Sequence, residues 1–263
     1  MRMLVPCETE FKASKVPSAR RLTEVPVPLA DLRRQVAEAN RDLAAAGLVT
    51  LSFGNVSGVD RERGVVVIKP SGIPCAEVMP EHTVVVALSD GAVVDGSLRP
   101  SSDTPTHLVL YRRFRQLGGV VHTHSPFASA WAQAGREISC LGTTHADHFA
   151  GPVPITRPLT DAEIKGDYER ETGEVIAETI TALDVDALRM PAALVRSHGP
   201  FTWGIDAAEA VVNAATLELV AAMAWRTLAL APDAEPIDEV LAHRHFSRKH
   251  GPSAYYGQPG LPH

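Results

Sequence analysis

The chain has 263 residues, 45% hydrophobic and 21% charged, close to the average for soluble globular proteins. Lys plus Arg number 25 against 31 Asp plus Glu, and the formal charge of −6 argues against nucleic acid or an anionic membrane as partner. Cys7, Cys75 and Cys140 are odd in number and without CxxC spacing, so a disulfide framework is excluded and a reducing cytoplasm is the expected compartment.

Residues 1–28 are polar and proline-punctuated, without the apolar core of a secretory signal, and read as a flexible extension. Leu32, Val36, Ala39, Leu43 and Ala44 then recur at helical spacing, with Gly47 as the stop. Short β-like runs follow at Leu48–Ser52, Gly64–Lys69 and Thr83–Leu88, and Asp90-Gly91 reads as a hairpin turn before AVVDG. Thr104 to Gln116 is a predicted helix with Pro105 in its first turn. GGVVHTH is a predicted buried strand, Pro126 to Ala134 a helix, and Thr160 to Leu183 a helix opened by the capping-box pattern TDAE. AALVRSHG, from Ala192 to Gly199, reads as another strand.

Asp206 caps a predicted long helix, Ala207–Leu230. Its apolar face (Val211, Val212, Ala215, Leu219, Val220, Met223) predicts burial against more than one neighbour. Glu209, Glu218 and Arg226 interrupt this stretch, whereas a membrane span needs about 18–20 nearly uncharged residues. A membrane partner is not expected. Hairpin-linked strands with intervening helices predict a single α/β or α+β layered domain.

His122 and His124 stand two apart in VVHTHS, so a strand would present both imidazoles on one face. Two such rings are half of a zinc site; in isolation they are equally two polar residues at a strand end. His198, ending AALVRSHG, is a third histidine in a similar setting, and three would leave a coordination position for substrate. Asn55 in SFGNVSG, Lys69-Pro70-Ser71-Gly72 and Pro100-Ser101-Ser102-Asp103 are small hydroxyl-rich loops. Such loops suit a phosphate dianion, and they suit plain turns too. Asp103 precedes a helix and is open to an N-capping role. Asp147, in THADH, is either a solvated loop carboxylate or a proton-exchanging group. Tyr255 and Tyr256 lie in a basic, aromatic tail. GxSxG, GxGxxG and the P-loop pattern are absent.

Taken together, LVTLSFGNVSGVDRERGVVVIKPSG, RPSSDTPTH, GGVVHTHS, GTTHADHFAG, TDAEIKGDYERETG, VRSHGPFTWG and RKHGPSAYYGQ resemble the class II aldolase/epimerase family from about Leu29 to Gln258. The TTHAD segment and the AYYGQ tail are similar to its L-ribulose-5-phosphate 4-epimerase branch. The resemblance implies a class II aldolase-like fold, a central and mainly antiparallel β-sheet flanked by helices, spanning residues 29–258, with 259–263 as a short tail. It implies zinc on His122, His124 and His198, with Asp103 as a further ligand or a close neighbour; the same ligands also suit Mn²⁺ or Co²⁺. It implies substrate contacts from Gly54, Asn55, Lys69, Ser71, Gly72, Ser101 and Ser102, with Thr143, Glu169, His245 and Arg248 around the pocket.

Asp147 and Tyr256 match the family's acid/base pair. The implied reaction interconverts L-ribulose 5-phosphate and D-xylulose 5-phosphate by retro-aldol cleavage and re-formation of C3–C4, in a homotetramer with sites between subunits. A zinc aldolase acting on a substrate such as L-fuculose 1-phosphate would share the histidines. An adducin-like scaffold would have no need of His122, His124, His198, Asp147 and Tyr256 together.

Overall fold

The computed structural model describes residues 29–252, 254 and 255. The expected extension at 1–28, Tyr256 and the tail at 259–263 lie outside the described residues. Seven strands form one sheet: β1 (Asn55–Asp60), β2 (Val65–Ile68), β3 (Val84–Ala87), β4 (Val93–Asp95), β5 (Gly119–His122), β6 (Ala192–Leu194) and β7 (Pro200–Gly204). Their order is β4-β3-β2-β1-β5-β7-β6, and every neighbouring pair is antiparallel. The helices are α1 (Leu29–Ala45), α2 (Thr104–Arg113), α3 (Pro126–Ala134), α4 (Thr143–Ala146), α5 (Asp161–Lys165), α6 (Tyr168–Ala182), α7 (Ala207–Leu230) and α8 (Glu239–His250).

Strand alternation divides the core between two helical layers. Val65, Val67 and Val85 pack with Leu32 and Val36 of α1, and Val56 and Val121 pack with Leu43 of α1 and Ala210, Val211 and Ala214 of α7. Val66, Val84, Val86 and Val120 join the main core with Leu108, Leu110 and Tyr111 of α2 and Ile176 and Ile180 of α6. Each valine buried in this way contributes roughly 1.5–3 kcal/mol. The start of α7 crosses β5 closely: a Cβ at Gly119 would lie 2.2 Å from the Asp206 carbonyl oxygen. The same alternation turns Asn55, Ser57 and His122 away from α1, toward α2.

Several expected elements are shorter, broken or absent; the helix expected over Thr104 to Gln116 ends at Arg113, where Phe114 leaves the helical region. Leu48–Ser52 is not a strand; Leu51 takes a positive φ of 57° as the chain turns from α1 toward β1. The helix expected over 160–183 is two helices, because Gly166 leaves the helical region at φ −92°, ψ −126°. The Thr160–Glu163 capping box is nevertheless formed. The strand expected over 192–199 stops at Leu194, and Ser197, at φ +61°, turns the chain into β7.

The long helix α7 matches its expected bounds, with the Asp206 side chain accepting from Glu209 N at 2.8 Å. Its burial is narrower than expected: Val211 and Val220 are buried, whereas Val212, Leu219 and Met223 are exposed. By length and composition α7 is apolar enough to span a membrane, but 61% of its most apolar stretch is buried in the protein. Its Glu218 carboxylate accepts from Phe127 N and Ala128 N at 2.8 and 2.9 Å, satisfying the first turn of α3.

Candidate active site

The antiparallel register sets Asn55 beside His122 and His122 beside Phe201. Phe201 stacks on the His122 ring at 4.2 Å, and the Pro200 carbonyl lies 3.0 Å from His122 Nδ1. A carbonyl can only accept, so Nδ1 carries the proton and Nε2 presents its lone pair. His124, just past β5, brings its Nε2 to 3.0 Å from that of His122. His198 arrives from the turn after β6, where Ser197 N donates to Ala132 O and His198 N to Val195 O, each at 3.0 Å. One ligand atom from each of the three histidines lies within 4.8 Å of the others.

These rings fit a divalent metal. Burial pushes His122 down to about 3 and lowers His198, so both are neutral at physiological pH, the form a metal requires.

Around the histidines lies a cleft of about 430 Å³. It is lined by Gly54, Asn55, Lys69, Ser71, Gly72, Ser101, Ser102, Asp103 and Glu169, all expected from the sequence. Ser101 N donates to Lys69 O at 3.0 Å and Ser71 N to Arg99 O at 2.9 Å, which joins the two hydroxyl-rich loops side by side. Gly54, at φ +80°, has no room for a side chain, since a Cβ there would meet the His122 carbonyl oxygen at 2.8 Å. Lys69 is buried, and that burial lowers its ammonium below the usual range.

Asp103 stands at the N-cap of α2 without capping it. Its Oδ2 accepts instead from Asn55 Nδ2 at 2.6 Å. Burial works to raise this carboxyl, but the His122 and His107 rings and the Asn55 amide outweigh it and hold it below the usual range. Asp103 lies outside the converging set of ligand atoms. The cleft also includes Ser52, Phe53 and Tyr168, which the sequence reading misses. Tyr168 had one available signal: it directly precedes Glu169, beyond a Gly-Asp helix break.

Thr143, Asp147, His245 and Arg248 do not line this cleft. They belong to a second cluster, where α4 packs on α8. Asp147 is no solvated loop carboxylate, being only 9% exposed. Its Oδ1 lies 3.0 Å from His245 Nδ1 and accepts from Arg248 Nε at 2.9 Å, while Oδ2 accepts from Arg248 Nη2 at 2.6 Å. Burial alone would raise the Asp147 carboxyl, but these bonds hold it below the usual carboxylate range.

Residues 34–225 match the Class II Aldolase and Adducin N-terminal domain. The chain is 56% identical over 227 residues to the L-ribulose-5-phosphate 4-epimerase UlaF of Salmonella paratyphi C, spanning 86% of this chain and 98% of that protein. Among solved structures, an L-fuculose 1-phosphate aldolase is similar at a TM-score of 0.65 and 19% identity, over 83% of this chain and 95% of its own. YgbL from Klebsiella pneumoniae is similar at a TM-score of 0.63 and 24% identity, over 83% of this chain and 99% of its own. The antiparallel sheet with its two helical layers is thus the fold these structures share. The chain belongs to the class II aldolase and adducin family.

Proposed function

We propose that this chain interconverts L-ribulose 5-phosphate and D-xylulose 5-phosphate by cleaving and re-forming the C3–C4 bond. The observation that carries the reading is the three-histidine cluster inside a cleft walled by Asn55, Lys69 and the paired serine loops. The 56% identity to UlaF supports this choice of substrate. Two buried free thiols, Cys75 and Cys140, suit a reducing cytoplasm.

The hydrogen on C4 of a ketopentose is not α to the carbonyl, so inversion there by simple deprotonation is unfavourable. Cleaving C3–C4 instead leaves an aldehyde that rotates and is attacked on its other face. Zinc held by His122, His124 and His198 supplies Lewis-acid stabilisation of negative charge on the ketose oxygens. Asp103, held by Asn55, keeps a carboxylate beside the imidazoles. The backbone N–H groups of Gly72 and Ser102 and the hydroxyls of Ser71, Ser101 and Ser102, with the Lys69 ammonium, bind the phosphate and retain the glycolaldehyde phosphate fragment.

One group must take the C4 hydroxyl proton as the bond breaks, and another must return a proton on the opposite face. Asp147 and Tyr256 fill these roles in the proposal, with Arg248 and His245 keeping Asp147 ionised. Because the Asp147 cluster does not line the cleft of its own chain, we assign it to the cleft of a neighbouring subunit in a homotetramer.

NMR of zinc-loaded protein with L-ribulose 5-phosphate tests the reading. Conversion to D-xylulose 5-phosphate without free glycolaldehyde phosphate is expected. Accumulation of dihydroxyacetone and glycolaldehyde phosphate would make the chain an aldolase. No turnover with zinc bound would contradict the proposed substrate.

A further inference from the structure

The three histidines are supported unequally. His122 is clamped by the Pro200 carbonyl and by the Phe201 ring. His124 meets Phe53 at 6.1 Å between ring centroids. His198 sits on an irregular turn behind Ser197, at φ +61°, and does not belong to a strand. Its ring faces Tyr168, whose hydroxyl lies 3.3 Å from His198 Nδ1 and whose ring stacks at 6.3 Å with an interplanar angle of 25°.

From this geometry we infer that Tyr168 is a positioning residue for His198, setting both its tautomer and the direction of its ring. The inference rests on the proposed three-histidine metal site. The Tyr168 oxygen accepts from His198 Nδ1–H, which leaves the Nε2 lone pair for the metal, as the Pro200 carbonyl does for His122. Partners of this kind orient a ligand ring and raise its basicity.

The placement of Tyr168 is itself well determined. It opens α6, immediately after the break at Gly166-Asp167, and α6 packs against α2 at the point where Gly173 allows close approach. A Cβ at Gly173 would lie 2.7 Å from Val109 Cβ. Thr106 of α2 donates its hydroxyl to Glu169 O at 2.6 Å, binding the start of α6 to the helix that Asp103 opens. Tyr168 therefore stands on a rigid helix start, whereas the histidine it supports stands on a turn. Tyr168 and Glu169 also line the same cleft, so the hold on His198 is coupled to a substrate-facing wall.

The test is Tyr168→Phe, which keeps the stacked ring and removes only the hydroxyl. Zinc affinity, measured by competition with a chromophoric chelator, should fall about 10–100-fold. The visible spectrum of the Co²⁺-loaded variant should change, while the Tm of the metal-free variant should equal that of the metal-free wild type. Unchanged affinity and an unchanged Co²⁺ spectrum would overturn the inference and leave the metal site standing. A wild-type chain that takes up no zinc would overturn the site itself, and the role of Tyr168 with it. A second measurement needs no variant: long-range ¹H–¹⁵N NMR of the zinc-loaded wild type should find His198 protonated at Nδ1. Protonation at Nε2 would refute the assignment.

Discussion

The three-histidine cleft and the Asp147 cluster hold the charge states of their titratable groups by opposite physical means. In the cleft, burial dominates: His122 is driven neutral, and its geometry comes from strand register, a backbone carbonyl and a stacked phenyl ring. In the Asp147 cluster, charge pairing overcomes burial, and Arg248 and His245 hold a carboxylate ionised. Neutral imidazoles suit a metal, and a positioned carboxylate suits proton transfer. The cleft is assembled by the sheet; the Asp147 cluster depends on two helices, α4 and α8, meeting.

The largest expected effects separate the two regions by what each variant loses. His122→Ala should lose bound metal and more than about 1000-fold in turnover, read by elemental analysis and by the NMR assay. Asp147→Asn should keep its metal and lose about 10²–10⁴ in turnover. Tyr256→Phe should behave like Asp147→Asn, with zinc and substrate affinity retained; unchanged turnover would remove it from the acid/base pair. If Asp147→Asn released the metal instead, the division of labour between the regions would collapse.

Beneath the cleft, His107 sharpens the contrast. It is fully buried, with Nδ1 2.7 Å from Ser57 Oγ, which in turn lies 2.8 Å from the Tyr111 hydroxyl. Burial pushes His107 from the usual 6.5 down to about 4, against a smaller opposing pull from Asp103. The unfolded chain therefore binds this proton more readily than the folded one. The stability at stake, about 3 kcal/mol, is fully present above pH 6.5 and is lost as pH falls toward 4. His107→Gln should flatten the dependence of urea-unfolding stability on pH across that window. An unchanged slope would mean that His107 titrates normally.

Smaller effects test the scaffold. Gly173→Ala should cost about 1–3 kcal/mol by forcing α6 away from α2, and should disturb the cleft more than the Asp147 cluster. Asp206→Ala removes the cap of α7 and should cost about 1 kcal/mol in a denaturant titration.

Much of this division is legible in the sequence, for identifiable reasons. Valine runs in Val65–Ile68 and Val84–Ala87 announce buried strands, and the Asp206 cap and Pro126 mark helix starts that form where expected. The strand β1 is harder to read, because NVSGVD carries only two valines among polar residues whose partners, such as His107 and Asp103, come from α2. Strand β7 begins at a proline, and α8 is mostly polar and charged, so neither shows a strong hydrophobic period. The histidines, the serine loops and Asp103 are legible as types, but long-range pairing alone brings His198 to His122. Tyr168 is invisible to a reading that runs one helix through Gly166. The long helix α7 misleads in the other direction: an apolar residue such as Leu219 predicts burial whether or not a neighbour is there to cover it.

The most direct test of the account is complementation between subunits. Each of His122→Ala and Asp147→Asn should lose about 10²-fold or more of its turnover alone, because one lacks the proposed metal cleft and the other the proposed proton-transfer carboxylate. Co-expressed and purified as mixed oligomers, they should regain part of the wild-type epimerase activity, since some clefts would pair an intact histidine set with an intact Asp147 from a neighbour. Mixed oligomers that are folded and assembled yet remain inactive would contradict the claim that the cleft of one chain works with the Asp147 cluster of another.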